Sequence, residues 1–521
     1  MSIPFYLAIL LLSILAQVSK PVKRASTNSK STTNLVKKCI AFFLISDIII
    51  LGYYILTKTI LLKKGEISLT SGSIVKHLYK FAWPCILGRI LQNLYTLIDS
   101  VIVGQAVDTG ALATVGVASS IISLFTETVI GLVGGFAVTA GKKYGSTDEE
   151  GVKKVFAVSL RITIVVGGAI TILGIILSRT MLKWLQTPSD IIDSANVYLT
   201  LMFAGIITSV FYNFLCEMLR ALGFSKEPLI ILVISSLLHI ALIFLFVFGF
   251  NYAVVGAAFS TILSQAFSVI LCIIFIKKKV PQYRIKLEDL KPDKKIFREC
   301  IHIGIPMAAT NFVVTFGVII LSFITNGIGI QYVAAYTCAS RIGYIVTTPI
   351  FGFASAVSVF VAQNLGAGKI DRIKNGVKMS NVIVTIINIV LFIIMWFITK
   401  PLLEWFLIGD KVAVDAGVMY MRTRCTAMFI LTFAAIYKTT LNALGKPMFP
   451  TISGFAEIAV RYIFPIITSA HLGFACVPLT DAVTWLMLAL VLSVAYFFEF
   501  SKISKCFKKR SNSMKNSVFN M

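Results

Sequence analysis

The sequence predicts an all-α polytopic membrane protein, with two six-helix lobes related by internal duplication (a 12-helix core) and an N-terminal hydrophobic appendage. Three observations carry this. Of 521 residues, 57% are hydrophobic and only 14% charged, with a mean hydropathy of +0.88; a soluble chain of this size does not show that balance. From residue 81 onward, apolar runs long enough to cross a bilayer, roughly 20 residues each, follow one another. Finally, the second half of the chain repeats the first. The runs are continuous rather than alternating over about ten residues, which excludes a β-barrel.

Taken in order, residues 1–73 form the appendage, with room for one or two membrane segments. Ile3 to Val18 has the length of a signal peptide, yet no basic residue precedes it and no clear cleavage site follows. Cys39 to Leu62 is long enough to span once, and both its flanks are basic, so charge cannot orient it. Residues 74–276 make the N-lobe, with runs near 82–104, 112–140, 155–178, 194–222, 228–250 and 253–276. Residues 277–300 are a linker. Lys277 to Glu299 holds nine basic and four acidic residues and is expected in the cytoplasm. Residues 301–500 make the C-lobe, with runs near 303–325, 332–361, 380–399, 416–444, 450–470 and 473–500. A basic cytoplasmic tail, 501–521, ends the chain.

Loops after even-numbered runs are basic, through Lys142, Lys143, Lys226, Lys369, Arg372 and Lys446. By the positive-inside rule both ends of the core are then cytoplasmic. The net charge of +25 therefore reads as topology. No Arg/aromatic platform for bases accompanies it, so no nucleic-acid partner is expected.

The duplication is visible residue by residue. TVGVASSI (114–121) matches AYTCASRI (335–342), and GKKYGS (141–146) matches AQNLGA (362–367), at an offset of 221. LRALGFSKEP (219–228) matches LNALGKPMFP (441–450), and Pro84 matches Pro306, at 222. With six spans per copy the halves share one orientation, an arrangement in which a transporter places its site between them.

The first core run, Phe81 to Gly104, carries Arg89, Gln92, Asn93, Thr96, Asp99 and Ser100 within an arc of roughly 120° on a helix. Ionisable groups are costly at membrane depth, so this stripe is expected to face a pathway. Glu127 in the second run, Arg341 in the eighth, Lys438 in the tenth, and Glu457 with Arg461 in the eleventh add further charges to the interior. With Arg89, Asn93 and Thr96 they are the cavity and substrate-binding candidates. Glu457 precedes Arg461 by four residues, the favourable order for a helical pair.

These motifs, LYTLIDSVIVG after Trp83-Pro84, LATVGVASSI, the two ALG turns and GAAFST (256–261), resemble the multidrug and toxic compound extrusion (MATE) family over about residues 74–500. The resemblance implies two six-helix lobes forming a V, alternating access by lobe rocking, and export of organic cations against H⁺ or Na⁺. It also implies a cation-coupling site of Asp99, His239 and Thr261. Asp99 matches the family's first-helix acid and Thr261 its sixth-helix hydroxyl. Where many members read Asn-x-x-x-Asp in the fifth helix, this chain has His239 and Ile243, which removes a carboxylate that Na⁺ would use. The C-lobe run at 303–325 has no acid at the position matching Asp99, which concentrates coupling chemistry in the N-lobe.

No enzyme is expected: GxxxxGK[ST], HExxH and GxSxG are absent. Nine scattered cysteines and four histidines lack metal spacing, so no metal or cofactor is expected beyond the coupling ion. The implied partners are the bilayer and small organic, cationic substrates. The expected state is a monomer in the plasma (inner) membrane. The competing reading is a lipid-linked saccharide flippase of the same wider superfamily, favoured by the basic residues Arg89, Arg341, Lys438 and Arg461.

Overall fold

A computed structural model describes residues 68–519, apart from residues 107, 108, 251, 286 and 292. The appendage, except for 68–73, lies outside the described residues. Twelve α-helices follow: α1 (Ile74–Ala106), α2 (Thr109–Gly145), α3 (Glu149–Trp184), α4 (Ser189–Ala221), α5 (Lys226–Ile243), α6 (Ala253–Lys279), α7 (Lys294–Asn326), α8 (Ile330–Gly366), α9 (Ile370–Phe406), α10 (Lys411–Ala443), α11 (Met448–Leu472) and α12 (Cys476–Phe519). In order, the starts of matching helices differ by 220, 221, 221, 222, 222 and 223 residues. The repeat seen in short motifs therefore extends to every helix.

Ten of these helices lie in stretches long and apolar enough to cross a membrane; α1 and α10 complete the set. The helices outrun the apolar runs. α3 begins at Glu149 rather than near 155, because Asp148 accepts a hydrogen bond from the Gly151 N–H at 2.8 Å and caps it. The expected linker is helical at both ends, with two 3₁₀ turns, Pro281–Tyr283 and Leu287–Leu290, between them, and α12 continues through the basic tail to Phe519. α5 passes into a π-helical turn, Phe244–Gly249.

The duplicated ALG turns have one physical cause. Gly223 and Gly445 adopt φ of +94° and +78°, a region that costs other residues a Cβ clash. In the first turn the N–H of Phe224 reaches Leu219 O; in the second, Lys446 reaches Leu441 O. Both are Schellman closures of a helix end.

Two buried cores form, and they are not the two halves of the sequence. Phe81, Ala82 and Ile86 of α1 pack into the C-lobe core, and Ile296 and Cys300 of α7 into the N-lobe core. Helices α2 and α7 meet through glycines. A Cβ at Gly135 would lie 2.4 Å from Gly304 Cα, and one at Gly131 2.5 Å from Met307 O. Apolar burial gives no drive to helix association inside lipid, so close backbone approach of this kind has to supply the packing energy.

Candidate functional site

Contacts between the lobes cluster at the end carrying the even-numbered loops. Gln363 donates to Ala221 O at 2.9 Å, and a Cβ at Gly141 would sit 3.1 Å from Ala362 Cβ. Residues 69–72 cross to the corner between α8 and α9. There Arg372 donates to the carbonyls of Leu69, Ser71 and Gly72 at 3.1, 2.8 and 2.7 Å, and Lys369 to Thr70 O at 2.8 Å. Further along, α1 meets α8 through Arg89 Nη2 to Ser355 Oγ (3.5 Å) and Asn93 Nδ2 to Thr348 Oγ1 (3.2 Å). On the other side Asn311 of α7 donates to Glu127 O of α2 at 3.1 Å. On these facing helices Arg89 and Arg341 are exposed and Asn93 and Glu127 half-buried, which marks a gap between the lobes.

The sequence-derived candidates divide into three groups. Thr96 and Asp99 sit on α1, but their side chains lie outside the described residues. His239 and Thr261 come together as expected: His239 is fully buried, its Nε2 is 3.4 Å from Thr261 Oγ1, and Thr261 also donates to Ala257 O. α1 packs against both α5 and α6, the helices that carry this pair. Arg89, Asn93, Glu127, Arg341 and Lys438 line or flank the gap. Glu127 and Lys438 are half-buried, Arg89 and Arg341 exposed, and Lys438 is within electrostatic reach of Glu127 and Glu457.

Glu457 and Arg461 stand apart. Each is only 4% exposed, too buried to meet a substrate in the gap. Arg461 donates to Glu457 at 3.0 Å and to Asp481 at 2.6 Å. Asp481, 2% exposed, also accepts from Arg424 at 2.8 Å and from the Tyr420 hydroxyl at 3.0 Å. Two guanidiniums and two carboxylates thus neutralise one another inside the C-lobe. Glycines make the space: a Cβ at Gly343 would lie 2.6 Å from Arg424 Nε, and one at Gly317 2.8 Å from Arg461 Cδ. Sequence reasoning missed Asp481 and Arg424, although each is an ionisable residue inside an apolar run, the signal that singled out Asp99.

The eight described cysteines are free thiols, most of them buried. Among the described residues no group of three His, Cys, Asp or Glu side chains is placed to hold a metal ion.

Comparison with known proteins gives one answer. The family model described as MatE matches twice, at residues 84–245 and 306–467, reproducing the internal repeat. Curated relatives include "Probable multidrug resistance protein YpnP" of Bacillus subtilis, 28% identical over 78% of this chain and 90% of that protein. "Probable multidrug resistance protein YoeA" of the same organism is 26% identical over 75% and 87%. Among solved structures, "Outward-facing conformation of a multidrug resistance MATE family transporter of the MOP superfamily" superposes with a TM-score of 0.79 at 21% identity, covering 84% of this chain and 98% of that one. At that identity the likeness speaks for the fold. A duplicated family match over most of the core, on a fold of two six-helix lobes, places this chain in the MatE family of membrane transporters.

Proposed function

We propose that the protein is a secondary-active antiporter that exports organic compounds, cationic ones among them, in exchange for H⁺ or Na⁺. The observation that carries this reading is the asymmetry of the inter-lobe contacts among the described residues. Two like bundles close on each other at one end and leave a polar, charge-bearing gap beyond it. Loop charge assigns the closed end to the cytoplasm, which makes the gap outward-facing. Rocking of the lobes about the gap then exposes it alternately to the two sides. The names of the relatives support a multidrug substrate range. The plasma membrane and a monomeric state belong to the same reading.

In this cycle Asp99 carries the coupling ion. Protonation or Na⁺ binding there and substrate binding in the gap bias one conformational equilibrium in opposite directions, which is all that coupling requires. His239 and Thr261 lie on α5 and α6, which pack against α1. The expected outcome is that wild-type cells extrude a fluorescent cation under an imposed pH or Na⁺ gradient, and that Asp99→Asn abolishes the driven component. Intact efflux from a well-inserted Asp99→Asn variant would refute the assignment. The flippase reading rests on Arg89 and Arg341, both exposed at the gap. Absence of cation efflux from well-inserted wild type would favour it.

A further inference from the structure

The duplication makes the two lobes comparable position by position, and at one place their charges are opposite. The first helix of the N-lobe carries Asp99, whose counterpart in the C-lobe is Leu321 at the offset set by Pro84 and Pro306. The second helix reverses this. Ser120 and Ser123 of α2 correspond to Arg341 and Tyr344 of α8, and Val115 to Tyr336, all at an offset of 221. The C-lobe copy has exchanged small, uncharged positions for a guanidinium flanked by two tyrosines.

The structure gathers these residues around a cavity of about 270 Å³ between α7 and α8, lined by Val318, Ser322, Tyr336, Ser340, Arg341 and Tyr344 among others. Arg341 and Tyr344 share a helical face with Thr348 and Ser355, at i, i+3 and i+4 spacing. Those two meet Asn93 and Arg89 of α1. The face therefore looks into the gap between the lobes rather than into the C-lobe core. Behind Tyr344, whose ring lies 5.4 Å under the Arg424 guanidinium, Arg424 and Arg461 are matched by Asp481 and Glu457. Among the described residues no carboxylate forms an ion pair with Arg341, and it is exposed. It is the uncompensated charge of this cavity.

We propose that this cavity binds the anionic group, a carboxylate in the first instance, of a zwitterionic organic substrate. The assignment rests on the export reading above. A guanidinium fork donates to a carboxylate in bidentate geometry; Tyr344 offers flanking aromatic surface, and Tyr336, buried against Tyr420, closes the back of the cavity. The volume falls below the roughly 300–1,000 Å³ of whole-ligand pockets, which suits one end of a molecule rather than all of it. Ser322 and Ser340 already donate to the backbone carbonyls of Val318 and Thr337, leaving Arg341 as the charged donor.

The test uses two dyes that differ at one group: a rhodamine with a free benzoate, which is zwitterionic, and its methyl ester, which is a cation. Binding to the purified full-length protein is read by fluorescence anisotropy in phosphatidylcholine nanodiscs. Wild type is expected to prefer the free acid. Arg341→Gln is expected to lower the acid-to-ester affinity ratio by about tenfold or more, the scale of a charge-assisted hydrogen bond, and Arg341→Lys to restore part of it. Ester binding by wild type with no preference for the acid overturns the Arg341 site and leaves the export reading intact; binding of neither dye removes both. Displacement of the acid by phosphatidylglycerol nanodiscs, dependent on Arg341, would make a lipid headgroup the occupant and overturn the substrate assignment.

Discussion

At the scale of single residues, the C-lobe charge cluster is where geometry adds most to the sequence. Glu457 and Arg461 were legible as a pair because both lie on one helix at a favourable spacing. Asp481 was not, because its partners come from α10 and α11 and only folding brings the three helices together. The cluster also decides what Arg461 does: a guanidinium held by two carboxylates and 4% exposed is occupied. Asp481→Asn removes the charge that both arginines share. Breaking a buried pair in this way costs about 3–5 kcal/mol, so the melting temperature of the purified protein in detergent should fall sharply. An unchanged melting temperature would show that the cluster does not hold the C-lobe together.

At the scale of elements, twelve helices were legible as apolar runs, ten of them in stretches long and apolar enough to cross a membrane, because lipid demands that a span be long and continuous. Their ends were not, since helix termini extend into polar sequence wherever a cap is present. Asp148 at the start of α3 is the clearest case. The Gly151 N–H, and then the Lys143 ammonium at 3.1 Å, hold its carboxyl below the usual carboxylate range. The folded chain thus favours the ionised form. Its contribution is full above the unfolded pKa of about 3.9 and is lost as pH falls through the lower folded value. Asp148→Ala should lower stability at neutral pH by about 1 kcal/mol, measured by thermal unfolding. The difference from wild type should shrink as pH falls below the unfolded value and through the folded one, and a difference unchanged across that window would assign the effect to something other than the charge.

At the scale of the whole molecule, the repeat made the two-lobe fold legible, but not the exchange that links the lobes. Short motifs show which helices match; they do not show that the first part of α1 packs with the second lobe and the start of α7 with the first. That exchange ties the two bundles together through packed side chains. The state of the gap was equally hidden, because every conformation of such a carrier uses the same sequence. Closure of the even-loop end gives a direct test. The Cβ positions at Gly141 and Ala362, 3.1 Å apart, are close to the roughly 3.5–4.5 Å of a disulfide. Gly141→Cys with Ala362→Cys should cross-link under mild oxidation and arrest transport, with recovery on reduction. Transport at full rate while cross-linked would mean that this end does not need to open.

The strap at residues 69–72 is tied to the corner between α8 and α9 by hydrogen bonds to its backbone. Asn364, Lys369 and Arg372 grip it by peptide oxygens alone, and Gln363 takes the Leu69 N–H. Because each of those groups is common to nearly all amino acids, these hydrogen bonds follow the path of the chain, and side-chain identity enters only through Leu69, fully buried in the C-lobe core, and Gly72, at a φ of +71°. At Thr70 and Ser71 the strap can vary while the four side chains that hold it cannot, so much of the constraint on this joint falls on the distant corner between α8 and α9.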